Sequence, residues 1–295
     1  MQATNQTIGG YYGSVMTLQG GSAAGQSVTF TGTSQQTIYT YDNGSGSVRL
    51  LGGGGSDASA SIVYTGTGTQ YVQAGNIVLT GGSAAGANAV ISTASGNQEI
   101  KATSNITLTG GTGDNAIARI INSGTGSQRV GESRYYYGDY QYQTDVITLQ
   151  GGAGAGAIAE ITAAGPQRIY TRSGTLNVLG GSGTNAYARI ESTGTGEQLI
   201  GFPTFRSYFD GGYGYAHNTV NIGAGAGTGA YARITAAGPQ IVNANSAITL
   251  TGNGTDASAS LLAPGQEIRY GTVTVQAGAG NNANALIQAT GTQYF

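Results

Sequence analysis

Apolar and polar residues alternate along this chain in short runs, and the runs return in a fixed order. One run repeats in nine copies as the apolar pairs Met16/Leu18, Val48/Leu50, Ile77/Leu79, Ile106/Leu108, Ile147/Leu149, Leu176/Val178, Val220/Ile222, Ile248/Leu250 and Val273/Val275, with mostly Thr, Arg or Asn between them. Period two over so few residues is the mark of a strand with one buried face. A second run places small residues in phase with a large one, as in Ala58/Ala60/Ile62, Ala116/Ala118/Ile120, Ala186/Ala188/Ile190, Ala230/Ala232/Ile234 and Ala283/Ala285/Ile287. A third is short: a glutamine followed two residues later by an apolar residue. It recurs at Gln6, Gln36, Gln70, Gln98, Gln128, Gln167, Gln198, Gln240, Gln266 and Gln293. The stretch QEIKATSNITLTGGTGDNAIARIINSGTGS shows the whole unit, with glycine turns between the strands. No window sustains a 3.6-residue period, so few helices or none are expected.

Three short strands in a unit of roughly thirty residues predict an all-β chain. The expected fold is a parallel β-helix (β-solenoid) of about nine three-strand coils, one domain over residues 1–295. A single coil cannot bury its inward face, whereas stacked coils form a continuous core. At a strand spacing of ~4.8 Å, nine coils give a rod about 43 Å long. The handedness rule for parallel crossovers favours a right-handed wind. The glutamines share the parity of the inward apolar residues. An unpaired inward amide costs ~1–3 kcal/mol, so stacked glutamines are expected to form a hydrogen-bonded ladder.

Composition narrows the function classes. The chain holds 54 glycines, yet glycine does not recur every third residue and there are only 4 prolines, which excludes collagen. A net charge of −2 and a single lysine, Lys101, give no basic footprint for nucleic acid. No apolar run is long enough for a membrane-spanning helix, and residues 1–20 lack the basic start and apolar run of a signal peptide. With no cysteine, neither disulfides nor thiolate metal sites support the fold.

The repeat ITLTGG…AxAxI…GxQ resembles the β-helical repeats of large bacterial surface exoproteins, the filamentous-haemagglutinin-like adhesins, and the resemblance extends over all 295 residues. It implies an extracellular or cell-surface location and an adhesive or fibrous role.

Insertions in repeat proteins collect on one edge and carry function. Here they fall between the glutamine strand and the next strand, at residues 131–146 and 201–219. They bring together Tyr135, Tyr136, Tyr137, Tyr140, Tyr142, Phe202, Phe205, Tyr208, Phe209, Tyr213 and Tyr215. Tyrosine offers a flat apolar ring with a polar tip at low entropic cost, which suits a contact surface. These loops therefore serve either lateral and adhesive contacts, with surface glycans or other fibres as partners, or to cover the rod itself. On the alanine-bearing strand the first outward position is Ser59 and Asn88, then Ile117, Ile158, Tyr187 and Tyr231, then Ser258 and Asn284. An apolar stripe on four adjacent coils is expected to be covered surface. Beside it run Arg119, Glu160, Arg189 and Arg233, read as exposed ion pairs contributing ~0.2–1 kcal/mol each.

Other chemistry finds little support. GGGGSDAS suggests calcium at Asp57, with an echo at Asp256, but calcium rolls need a carboxylate in nearly every turn and Asp114 is out of step by one. A polysaccharide-acting enzyme needs paired carboxylates, and Glu132, Asp139, Asp145, Asp210 and His217 form no clustered motif. Ice binding needs a regular threonine array, and Thr107/Thr109 and Thr249/Thr251 supply two rungs only. No catalytic residue, metal or cofactor is expected.

The two ends share a phrase: Gln2-Ala3-Thr4 matches Gln288-Ala289-Thr290. An unfinished solenoid end is a template for another chain. Head-to-tail stacking that does not close gives an open filament. The expectation is thus a structural subunit of an extracellular filament, a homopolymer of this chain. The alternative is a shaft segment of a long adhesin. Ten glutamine strands against nine of the others leave a mismatch at any such joint.

Overall fold

The computed structural model describes residues 2–11, 13–40, 45–131, 144–171, 174–201 and 217–295. Every strand pair in these residues is parallel, all strands join one continuous winding sheet, and the described residues contain no helix. The chain is a β-solenoid of about nine coils with three walls. The glutamine wall includes Gln128–Val130, Gln167–Ile169 and Gln198–Ile200. The middle wall includes Val15–Gln19, Ser47–Leu51, Val146–Gln150 and Thr175–Leu179. The alanine wall includes Ala60–Tyr64, Ala89–Thr93, Ala118–Asn122, Ala159–Ala163 and Ala188–Ser192.

Register follows the pattern of the sequence. Ile106 lies under Ile147 and Leu108 under Leu149, while Ala118, Ala159, Ala188 and Ala232 stack on one another. A one-residue slip would turn every inward side chain to solvent, so the alternation holds the coils in phase. The inward Ile, Leu, Val and Ala of all three walls form one buried cluster running the length of the rod. Fully buried Ala60, Ala89, Ala118 and Ala159 keep one wall thin, which lets the longer side chains of the other two meet across the interior.

The walls are not always separate strands. Where the connection is short, the glutamine and middle strands run together as Thr69–Thr80, Asn97–Thr109, Gln240–Thr251 and Gln266–Gln276. The corner survives in these as a register irregularity, between Ala74 and Asn76 and between Ala244 and Ala247. The opposite corner is bridged in Gln2–Gly10 and Val28–Thr40, which pass from the alanine wall to the glutamine wall. The corner after the middle wall is closed by glycine. A β-carbon on Gly82 or Gly111 would collide with the carbonyl oxygen of the glycine one coil below, so the coils can approach only without side chains there.

Candidate functional site: an amide ladder, a side face and two end faces

The glutamine column forms the predicted ladder. In each of nine steps the side-chain Nε2 donates to Oε1 of the glutamine one coil nearer the N-terminus, over 2.5–2.8 Å from Gln36→Gln6 to Gln293→Gln266. The direction never reverses. The second N–H crosses the coil to a backbone carbonyl of the alanine wall: Gln70 to Ser92, Gln98 to Ile121, Gln128 to Thr162 and Gln198 to Thr235. Sequence parity indicated the ladder but not this second bond, which ties two walls together at their shared corner. Gln6 sits at one end of the column, 3% exposed, and its Nε2 has no partner among the described residues. At the other end the Oε1 of Gln293 accepts from no described group.

On the alanine wall, Ile117, Ile158, Tyr187 and Tyr231 occupy one outward column in consecutive coils and are half-buried. The two tyrosine rings stack with centroids 4.2 Å apart and planes 11° from parallel. Arg233 lies over the Tyr231 ring at 4.6 Å and Arg189 over Tyr187 at 5.5 Å. Burial, with Tyr187 beside it, pushes the Tyr231 phenol above its ordinary value. The column is polar in earlier coils for a local reason. Ser59 Oγ accepts from the Asn88 backbone N–H, and Asn88 Oδ1 accepts from that of Ile117. The expectation of exposed ion pairs is corrected here. Glu160 is only 1% exposed, gripped by Arg119 from the coil below and by Arg189 Nε at 2.6 Å from the coil above. Two long guanidinium side chains laid over one short carboxylate bury it, a consequence of stacking that single-strand exposure patterns do not reveal.

Two smaller clusters lie on the outside of the glutamine wall and the middle wall. Tyr71, Glu99 and Arg129 share a column; Lys101 Nζ lies 2.8 Å from Glu99 Oε2 and 4.8 Å from the Tyr71 ring centre. The lone lysine is buried in this contact. Asn221 donates to Asn177, and Asn105 to Asn76, as short outward amide ladders.

The places suggestive of calcium have a backbone explanation. Gly25, Asp57, Gly86, Asn115, Gly156, Asn185, Gly229, Asp256 and Asn282 all have positive φ, one in each coil, directly before the alanine-wall strand. Glycine, asparagine and aspartate are the residues that adopt this conformation most readily. Asp57 and Asp256 thus belong to a column of left-handed corners, alternating with glycine. Asp114, one residue out of phase, accepts from the Ala155 backbone N–H at 3.0 Å. Among the described residues no three His, Asp or Glu side chains are placed to hold a metal ion. The tyrosines and phenylalanines expected at 131–146 and 201–219, from Tyr135 to Tyr142 and from Phe202 to Tyr215, lie outside the described residues, as do Glu132, Asp139 and Asp210.

The end coils expose apolar side chains, at the outward positions of Val15, Leu286 and Tyr294 and, in an inward column, at Val275. Val15 is 58% exposed at the first coil; Val275, Leu286, Tyr294 and Phe295 are exposed at the last, where Tyr270 and Phe295 meet edge-on at 6.2 Å. Comparison with family models, with curated proteins and with solved structures finds no match for this chain. What stands is a β-solenoid of about nine turns.

Proposed function

We propose that this chain is a structural rod of an extracellular fibre, assembled head-to-tail from copies of itself, with the tyrosine-rich loops making lateral or adhesive contacts. The supporting observation is the unbroken ladder of nine amide bonds, which runs through the whole rod and leaves an unpaired group at each end. A solenoid face of this kind carries unpaired main-chain groups and a slice of core, both of which a second rod can satisfy. The side face fits the same reading. The Ile117–Tyr231 stripe is a half-buried apolar column flanked by paired charges, suited to packing against a neighbouring rod rather than to chemistry.

Negative-stain electron microscopy of the purified chain over a range of concentrations tests this. Filaments that lengthen with concentration, with an axial repeat of nine to ten strand spacings, about 43–48 Å, are expected. Rods that stay single at every concentration would remove the fibre from the account. Replacing Tyr135, Tyr136 and Tyr137 with serine should leave the β spectrum intact and reduce bundling; unchanged bundling would exclude these loops as lateral contacts.

A second reading, the shaft of a long adhesin of the filamentous-haemagglutinin-like kind, draws on the resemblance of the repeat and on the unvarying register of all three walls. It predicts lasting monomers and binding through the loop corner to surface glycans.

A further inference from the structure

We infer that the glutamine ladder makes the rod electrically and chemically polar, so that two copies join in one orientation only: the Gln6 end of one on the Gln293 end of the next. The inference rests on the fibre reading and adds to it the direction and the contact. The nine ladder bonds all point the same way, with N–H toward the first coil and C=O toward the last. Aligned amides add their dipoles as they do along an α-helix, and a chain of them is mutually polarised. The backbone does not cancel this, since β-sheets have only small net dipoles. One face therefore presents a donor, Gln6 Nε2, buried and unpartnered, and the other an acceptor, Gln293 Oε1. Donor meets acceptor head-to-tail. Head-to-head would set two N–H groups against each other, and tail-to-tail two carbonyls.

Backbone register agrees. Gln2 and Ala3 pair with Thr31 and Gly32 on the alanine wall, in the column that Gln288 and Ala289 occupy at the other end. Seating Gln6 on Gln293 thus also seats Gln2 on Gln288. The middle wall is then one strand short at the joint, between the exposed Val275 of one copy and the exposed Val15 of the next. The joint is closed on the glutamine wall and at the last positions of the alanine wall, and open on the middle wall and over residues 28–30, so it depends on the ladder more than an interior coil does.

Gln6→Glu tests the contact. Its carboxylate keeps an oxygen for Gln36 Nε2 and puts a second oxygen where the free N–H₂ was. In sedimentation velocity at neutral pH, end-to-end association is expected to weaken by about tenfold or more, with the β circular dichroism of the monomer retained. Gln293→Leu removes the acceptor from the other end, and serves equally should Gln6→Glu fail to fold. The decisive measurement mixes the two variants. Each keeps one competent end, so the mixture is expected to stop at heterodimers. Association of Gln6→Glu equal to that of the wild type, or long chains in the mixture, would overturn the polar joint while leaving the fibre standing. A wild-type chain that never associates overturns both.

Discussion

At the scale of single residues, the left-handed corner shows how little the fold tolerates. Gly86 has φ of +68°, and a β-carbon on it would collide with Asp57 Oδ1 of the coil below. Gly86→Ala is expected to cost about 1–2 kcal/mol from the backbone conformation, read as a shift in the denaturant midpoint. Gly86→Asn should cost less, for two reasons. Asparagine accepts positive φ, and the pair it creates over Asp57 already exists elsewhere, where Asn282 Nδ2 donates to Asp256 Oδ1 at 2.8 Å. Asparagine proving the worse of the two would refute this account of the corner. Glu160 is the other residue where environment decides. Exposed pairs count for little, and breaking a buried one costs several kcal/mol. Glu160 is buried but its two arginines are about a third exposed, so Glu160→Ala should fall between, at about 1–3 kcal/mol. Because the carboxylate is shielded from water, most of that loss should persist in 1 M salt. Complete suppression by salt would mean a surface pair after all.

At the scale of a strand and its column, the ladder is the element to disturb. Gln128→Leu strands the Oε1 of Gln98 beneath it, takes one acceptor from the Nε2 of Gln167 above it and removes the donor to the Thr162 carbonyl. One orphaned buried oxygen and two weakened partners amount to about 2–4 kcal/mol, and a smaller loss is expected from Gln293→Leu at the open end, where one neighbour is affected. Equal losses at both positions would mean that the amides do not act as a column. The parity of the glutamines made this column legible in the sequence, as period two did for the walls. The donor crossing from Gln128 to the Thr162 carbonyl was not legible, because it depends on how closely two walls approach at a corner. Nor was the merging of glutamine and middle strands in Thr69–Thr80, since a corner and a bulge leave the same short polar gap in a sequence. The left-handed column is present in the sequence as Gly, Asp or Asn before each A-x-A, but a GGxGxD phrase is equally compatible with carboxylate chemistry and with a backbone of positive φ. The buried state of Glu160 needs three coils at once and cannot be read from any one of them.

Taken whole, the described residues form a stack in which each coil pairs its strands with the coil above and the coil below and shares one core with them. Stability in such a stack is close to a sum of coil and interface contributions, so damage stays local and unfolding can start at either end. Hydrogen exchange should therefore be slowest in the middle coils, around Ile147, Leu149 and Ile161, and fastest at Val15–Gln19 and Asn284–Ala289. Protection that is uniform from end to end would indicate that the ends are already covered, as they are inside a fibre.

The alternation of Gly and Asx at the corner has a bearing on how a rod like this is lengthened. Each Asx side chain needs a bare glycine in the coil above it, so the packing unit at that corner is two coils rather than one. Duplicating a pair of turns preserves the arrangement; duplicating a single turn sets like upon like. The one place where Asx follows Asx, Asp256 under Asn282, is mended by a hydrogen bond between the two side chains. Gene duplication and design alike should thus extend this scaffold in even steps, or supply a carboxylate–amide pair wherever the count is odd.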